Sequence, residues 1–566
     1  MADTTERKTV KLRIVETSDV HGHFFPYDFI ERKPLKGTMA RVSTYVNRLR
    51  KQYGDHLLLI DNGDILQGQP TCYYANFVMP EQPNVAAELI NYMGYDAQTI
   101  GNHDIETGHQ VYDKWIREVK CPSLGANIVD RKTGLPYTQP YSIHEIEGVR
   151  IAILGMITPT IPFWLNESLW SGMEFHEMVS CARKWVKIIQ EREHADLILG
   201  LFHSGKNGGI TTPECDENAT EKVAQQVPGF DIIFFGHDHT MHEDWIRNAE
   251  GDSVLCLDPS CYAQLVADAT VELTIEQGKV VGKKIEGSLK NVSDEAIDER
   301  LISHFQPAID SVKQFVDRQI GTFESAIEAR DCFFGPAAFT DLIHHLQLSV
   351  TGADLSFNAP LIYNARIDQG PVYVSDLFKL YRYENMIYML KMTGEEIRRH
   401  LEMSYDQWVN TMTTPDDHIM KIKKGAWTTP GKDGDRYGFI NMTFNFDSAA
   451  GIDYEVDVTK PDGQKVRILR FSDGRPFDLN ATYKVAMNSY RGNGGGELLT
   501  KGAGIPREQL PERIIFQSER DQRHYLMLEI EKQGHVKPRA NSNWRFVPEE
   551  WAAPALKRDR KLIFND

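Results

Sequence analysis

The stretch LLLIDNGDILQGQ, residues 57–69, joins a short apolar run to an aspartate, Asp64, set between glycines. A continuous Leu/Ile run that stops at turn residues reads as a strand covered on both faces, since a half-wet strand would alternate. The same pattern recurs through the first half of the chain. LRIVET, AQTIG, RIAILGM, DLILGLF and DIIFFG are further runs of strand length, separated by longer amphipathic stretches. This alternation predicts an α/β architecture in which helices cover the sheet.

The residues just past these runs carry the chemistry: SDVHGH, NGDILQGQ, GNHDIETG, HSGKNGG and GHDHT. In α/β sheets, strand ends at one edge open into a common crevice, so polar residues far apart in sequence can meet there. Asp19, His21, Asp64, Asn102, His103, His203, His237 and His239 are therefore expected at one place. Their mixed oxygen and imidazole donors suit Mn, Zn, Fe or Co better than Mg or Ca. Two ions a few Å apart need a shared ligand, and the carboxylate of Asp64 offers two oxygens for the purpose. Such a pair lowers the pKa of a shared water, making hydroxide available near neutral pH to attack phosphorus, and offsets charge on the phosphoryl oxygens. A lone DxH or GHxH is more often an ordinary hydrogen-bonded group; the weight lies in five such motifs in order, each at a strand exit.

Length and composition bound the rest. A chain of 566 residues is too long for one core and predicts two large domains. With 63 basic against 80 acidic residues, the net charge of -17 repels a nucleic-acid polymer. Seven cysteines without a CxxC indicate neither a zinc cage nor a disulfide framework, although Cys256 and Cys261 are near enough in sequence to pair. No apolar run is long enough to cross a bilayer, and the opening MADTTERKTVKLRIVETSD lacks the apolar core of a signal peptide. The expected location is cytoplasmic unless an export signal has been removed. SDEAIDERLISHFQPAIDSVKQFVDRQIG predicts a helix that starts near Ser293, is interrupted by Pro307 and ends at Gly321. It would connect a domain over residues 1–292 to one over 331–566, with 293–330 as connector and hinge. Beyond it, DLIHHLQLSV, GEEIRRHLEM, YEVDV and TYKVAMNSY predict a second, α+β domain.

The ordered set D-x-H, G-D-x-x-x-G, G-N-H-D, H and G-H-x-H resembles the calcineurin-like metallophosphoesterase superfamily. The forms GDILQGQP and GNHDIETG, with a late NGGG loop, resemble the two-domain bacterial 5′-nucleotidase and 2′,3′-cyclic-nucleotide phosphodiesterase family over almost the whole chain. That resemblance implies a four-layer αββα first domain, a linker helix and a 5′-nucleotidase-type second domain. It implies two divalent ions (Mn, Zn, Co, Fe or Mg), one held by Asp19, His21, Asp64 and His239, the other by Asp64, Asn102, His203 and His237. His103 would be a transition-state hydrogen-bond donor or general acid near the leaving oxygen, not a ligand. Its partner in the 5′-nucleotidases is an Asp three residues on, which here is Glu106. His23 and Asp104, beside the motifs, are expected to make local hydrogen bonds, the alternative being that they support the ligands from behind.

For the substrate, LYRYENMIYMLKMTGEEI places Tyr383 and Asn385, and NSYRGNGGG places Tyr490, at the family's base-binding positions. Stacking a base between two tyrosines is worth ~1 to 3 kcal/mol per base and tolerates different bases. The competing reading, core aromatics, is opposed by polar or small flanks: Arg382, Glu384, Arg491 and Gly492. Asn358, Arg491, Gly494, Gly495 and Gly496 complete the expected substrate contacts. The glycines do not form a phosphate cradle, because no Lys-Ser/Thr follows and GxGxxG is absent.

Two departures point to a branch: LSFNAPLIYNARIDQGP lacks the Gly-Gly-x-Arg of the 5′-nucleotidases, and Gly496 stands where they carry a ribose-binding Asp. A carboxylate there would repel a 2′,3′-cyclic or 3′-phosphate, which a glycine admits. The expected activity is thus 2′,3′-cyclic-nucleotide 2′-phosphodiesterase with 3′-nucleotidase. The alternatives are a 5′-nucleotidase or nucleotide-sugar hydrolase and, from another class, a catalytically silent binding or surface protein. The expected partner is a small nucleotide, with no obligate protein partner. The resemblance favours a periplasmic or cell-surface location after removal of a signal.

Overall fold

The computed structural model describes residues 7–426 and 436–565. The chain divides into two compact units, Met1–Val316 and Asp317–Asp566.

The first unit is built on two six-stranded sheets. One runs Lys279–Asn291, Leu265–Glu276, Arg7–Thr17, Leu57–Asp61, Ala97–Thr99, Ser123–Leu124; the other runs Met241–Arg247, Ser253–Pro259, Ile232–Phe235, Leu197–His203, Val149–Ile157, Tyr141–Ile146. The strands that open the site are parallel within each sheet, Arg7–Thr17 to Leu57–Asp61 to Ala97–Thr99 in one and Leu197–His203 to Ile232–Phe235 in the other. Their carboxyl ends therefore lie at common edges. Leu12, Ile14, Leu58 and Ile60 of one sheet share a buried cluster with Ile153, Leu199, Leu201 and Phe234 of the other. Helices Met39–Tyr53, Val85–Met93, His109–Glu118 and Glu299–Val316 cover the first sheet, while Met178–Ile188 and Thr220–Gln226 cover the second. This is the four-layer αββα arrangement. Burial on both faces explains the continuous apolar runs: every residue of Leu57–Asp61 and of Leu197–His203 is buried.

The helix expected from Ser293 to Gly321 is shorter and belongs to the first unit. It starts at Glu299, where Asp298 Oδ1 accepts from the backbone N–H of Arg300 and Leu301 at 3.0 and 3.3 Å and caps the end. Pro307 does not interrupt it. That residue is exposed, so the carbonyl it leaves without a helical donor faces water. Leu301, Phe305, Ile309, Val312 and Val316, spaced one helical turn apart, bury their side chains in the first unit's core. Gly321 lies in a strand, Gln319–Phe323, of the second unit.

The second unit is α+β. Its main sheet has the order Ser448–Ala450, Leu355–Asn358, Thr482–Asn488, Met386–Thr393, Ile514–Asp521. The helix Gly394–Trp408 begins with a capping box between Thr393 and Glu396 and packs Ile397, Leu401, Tyr405 and Trp408 into the core of this sheet.

Candidate functional site

Each predicted ligand lies at or just beyond the carboxyl end of a parallel strand. Asp19 and His21 follow Arg7–Thr17, Asp64 follows Leu57–Asp61, Asn102 follows Ala97–Thr99, His203 ends its own strand, and His237 and His239 follow Ile232–Phe235. Among the described residues two donor groups form: Asp19, His21, Asp64 and His239, and Asp64, His203 and His237, with donor atoms within 4.8 Å of one another in each. Asn102 joins the second group, its Oδ1 3.1 Å from His203 Nε2. Asp64 is common to both.

Asp64 Oδ2 lies 3.2 Å from His203 Nε2 and 3.8 Å from His21 Nε2, so it faces an imidazole of each group. Oδ1 accepts from the backbone N–H of His103 at 2.8 Å, which fixes the plane of the carboxylate.

The backbone is bent to deliver these side chains. Asp19 (φ 50°), His21 (48°), Asp64 (54°), His237 (85°) and His239 (56°) all occupy the left-handed region. Residues with a Cβ adopt it at a cost, and such positions cluster where surrounding contacts over-determine a functional geometry. The carboxylate of Asp104 provides some of those contacts. Its Oδ2 accepts from the backbone N–H of Asp64 and Gly101, both at 2.8 Å, and its Oδ1 from those of Ile65 and Leu66 at 3.0 and 2.9 Å. Only the Gly101 bond is the local one expected; the other three donors lie 38 to 40 residues away, so Asp104 organises the loop that carries Asp64.

The arrangement fits divalent ions. Asp19 Oδ1 is fully buried and makes no well-directed hydrogen bond, with His239 Nε2 3.3 Å away, while Oδ2 accepts from Ser18 Oγ and from the backbone N–H of His237. A buried carboxylate oxygen is costly unless a positive charge meets it. His21 Nε2 and His239 Nε2 face each other at 3.0 Å. His21 Nδ1 sits 3.1 Å from Gln67 Oε1 and His203 Nδ1 2.6 Å from the Asn62 carbonyl. Donation from each Nδ1 leaves Nε2 as a lone-pair donor toward the cluster.

Charge follows from this crowding. Burial and the neighbouring His239 push the His21 imidazole down to about 3. Burial also opposes the charged form of His203, but Asp64 and Asp19 outweigh it and raise its pKa to about 10, so the carboxylates call for positive charge at Nε2, from a proton or from a metal in its place. Burial would raise the Asp64 carboxyl, yet His203 and His103 hold it well below the usual carboxylate range.

His103 stands beside the ligands, its ring centroid 5.5 Å from that of His21. The longer Glu106 side chain preserves the expected pairing, with Oε2 2.6 Å from His103 Nδ1 across one turn of backbone. Burial lowers the His103 pKa, but Asp64 and Glu106 overcome it and raise the imidazole to about 9. His23 stacks on Tyr262 at 4.7 Å and faces the Gly37 carbonyl at 3.3 Å.

In the second unit, register gathers the other candidates. Ile387 pairs with Asn488, so Tyr383 and Asn385, just before one strand, and Tyr490, just after its neighbour, lie at the same end of the sheet. Leu355 pairs with Val485 in parallel, which brings Asn358 to that end as well. Asn358 Oδ1 is buried without a hydrogen-bond partner, and Asn385 Oδ1 accepts from the Tyr381 hydroxyl at 3.0 Å.

Three expectations change here. Glu384 and Arg491 are not exposed polar flanks: Glu384 is buried against Arg523, and Arg491 is buried against Asp447. Arg491 Nε lies 2.9 Å from Asp447 Oδ2, Nη1 donates to the Gly495 carbonyl at 2.5 Å and Nη2 to the Phe444 carbonyl at 2.8 Å. Its guanidinium thus braces the glycine loop from beneath. Gly496 has a packing reason of its own: at φ 68°, a Cβ would fall 2.0 Å from Asn445 Oδ1 and 2.4 Å from Arg491 Nη1. Gly495 lies flat on the Tyr490 ring, where an added Cβ would be 2.6 Å from two ring carbons. Gly494 adopts φ 94° and opens the turn.

Sequence reading missed Gln67, Asn62 and Glu217, whose side-chain or main-chain oxygens lie against the ring nitrogens of His21, His203 and His237. Among the described residues no disulfide joins any of the seven cysteines, Cys256 and Cys261 included. No helix among the described residues is long and apolar enough to cross a membrane.

Comparison with known proteins agrees with this geometry. The sequence model of the calcineurin-like phosphoesterases matches residues 12–241, and that of the 5′-nucleotidase C-terminal domain matches residues 319–501. A Haemophilus influenzae protein named 2′,3′-cyclic-nucleotide 2′-phosphodiesterase/3′-nucleotidase is 26% identical across 96% of this chain and 88% of its own. A Vibrio cholerae 5′-nucleotidase is 30% identical, but across only 41% of this chain and 40% of its own. The crystal structure of a 5′-nucleotidase precursor from Thermus thermophilus has the same fold, with TM-score 0.64 and 20% identity over 95% of this chain and 100% of that one. With both halves matched in order, the chain belongs to the calcineurin-like metallophosphoesterases, in the two-domain form that carries a 5′-nucleotidase C-terminal domain.

Proposed function

We propose that the chain is a dinuclear-metal hydrolase of nucleotide phosphoesters, and specifically a 2′,3′-cyclic-nucleotide 2′-phosphodiesterase that goes on to hydrolyse the 3′-nucleotide. The observation that carries the hydrolase reading is the buried carboxylate of Asp64, common to two donor groups that would each hold an ion. Ions bound there offset phosphoryl charge and activate water.

The chain's own residues do the rest. Glu106 engages His103 Nδ1 and orients the ring, so that Nε2–H protonates the departing 2′ oxygen as water adds to phosphorus. Tyr383 and Tyr490 hold the base by stacking, with Asn385 and Asn358 as polar contacts. Arg491 serves by holding the loop in shape.

The choice of phosphate position rests on the near full-length likeness to the cyclic-nucleotide enzyme, because packing against Asn445 is sufficient reason for Gly496 to be glycine. Phosphate release from 2′,3′-cyclic AMP, 3′-AMP and 5′-AMP, each with Mn, Zn, Co or Mg, tests the assignment. The first two are the expected substrates, with cyclic AMP releasing phosphate through 3′-AMP; a clear preference for 5′-AMP would make the chain a 5′-nucleotidase instead.

A further inference from the structure

The imidazoles of the ligand groups are not oriented alike. His21 and His203 face neutral oxygens, Gln67 Oε1 at 3.1 Å and the Asn62 carbonyl at 2.6 Å. His237 faces a carboxylate instead: its Nε2 lies 3.1 Å from Glu217 Oε1, with both side chains largely buried. An imidazole whose Nε2 donates to a carboxylate has its lone pair on Nδ1. In the second group, Nδ1 is then the nitrogen left for a metal beside Asp64 and His203.

Glu217 is held for this task by a chain return that starts at a ligand. After His203, Ser204 Oγ donates to the Glu217 carbonyl at 2.8 Å, and the Gly205 N–H donates to Asn218 Oδ1 at 2.9 Å. The other carboxylate oxygen, Oε2, accepts from the backbone N–H of Ile210 at 2.7 Å. The loop that leaves one ligand of the second group thus returns to fix another.

We propose that Glu217 is a positioning residue that sets the tautomer, orientation and basicity of His237, and with them the affinity of the second metal position. The inference rests on the two-ion reading of the site. A carboxylate behind a ligating imidazole increases its electron donation, and loss of such a partner typically costs about 10- to 100-fold in metal affinity. The first donor group, Asp19, His21, Asp64 and His239, includes neither Glu217 nor His237, so the effect is confined to one ion.

Manganese(II) titration of the metal-free full chain by calorimetry, followed by electron paramagnetic resonance, tests this in wild type, Glu217→Ala and Glu217→Gln. Wild type is expected to bind two ions and give the signature of a coupled pair. Glu217→Ala should weaken the second ion by about 10- to 100-fold and leave the first near its wild-type affinity, so that limiting manganese gives an isolated-ion spectrum. Glu217→Gln keeps the acceptor oxygen and the shape without the charge and should lose less; it also carries the test if the alanine variant fails to fold. Wild-type affinity for both ions in a folded Glu217 variant would overturn the role of Glu217 while leaving the two-ion reading intact. Failure of wild type to bind a second ion would instead remove the reading itself.

Discussion

Glu106 Oε2 lies 2.6 Å from His103 Nδ1, which places a carboxylate against an imidazole whose ring stands 5.5 Å from that of His21. Burial lowers the imidazole pKa, while Asp64 and Glu106 raise it to about 9. A general acid works in its protonated form, so the rate falls as pH rises through that pKa. Glu106→Gln removes one of the two supporting charges and lowers it. The expected result is an alkaline limb of the kcat/KM profile displaced toward lower pH and a kcat reduced about tenfold or more, within the usual range for general acid catalysis. An unchanged limb would show that another group sets it.

Asp104 anchors the loop of Asp64 through four backbone amides. Asp104→Ala strands those buried donors, each worth about 1 to 3 kcal/mol if left unmet. Urea unfolding should show a loss of about 3 kcal/mol or more. Metal affinity should fall with it, although Asp104 belongs to neither donor group.

Gly496 is the tightest point of the glycine loop. An added Cβ meets Asn445 Oδ1 at 2.0 Å, in a backbone conformation that disfavours side chains. Gly496→Ala should cost about 2 kcal/mol or more in stability. It should also raise KM for nucleotides while leaving hydrolysis of bis(p-nitrophenyl) phosphate, which has no base to stack, near wild type. Equal damage to both substrates would show that the loop does not serve the base.

Beneath that loop, Asp447 accepts from Arg491 and lies 2.8 Å from His400 Nε2. Burial favours its neutral form, but Arg491 and His400 hold the carboxyl below the ordinary range. A carboxyl with a depressed pKa stabilises the fold above its unfolded value and loses that contribution as pH falls through the folded one. The second unit should therefore weaken as pH drops below about 4. In Asp447→Asn the buried guanidinium loses its counter-charge, at a cost of about 3 to 5 kcal/mol, and this part of the acid sensitivity should disappear. Thermal melts across pH compare the two.

The ligand set was legible in sequence because each member sits at a strand exit, and a buried parallel strand announces itself by an unbroken apolar run such as LLLI before Asp64. Glu217, Gln67 and Asn62 carried no such mark. Their roles depend on how loops return to the cluster, and nothing in the local pattern encodes that path. Polarity misled at Glu384 and Arg491, since a charged residue suggests solvent unless its partner is known, and Arg523 and Asp447 are far away in sequence. Pro307 misled because its effect depends on which helix face it occupies. On the solvent face, the missing hydrogen bond leaves the helix intact.

The central claim is that Asp64 serves two metal positions at once. Metal content and manganese(II) binding of the wild-type chain beside Asp64→Asn test it most directly. The account predicts two ions per wild-type chain, and in Asp64→Asn weaker binding at both positions together with at least a hundredfold loss of phosphate release from 2′,3′-cyclic AMP, about 3 kcal/mol in transition-state stabilisation. Asp64→Asn binding one ion at wild-type affinity, or hydrolysing the substrate at the wild-type rate, would contradict it.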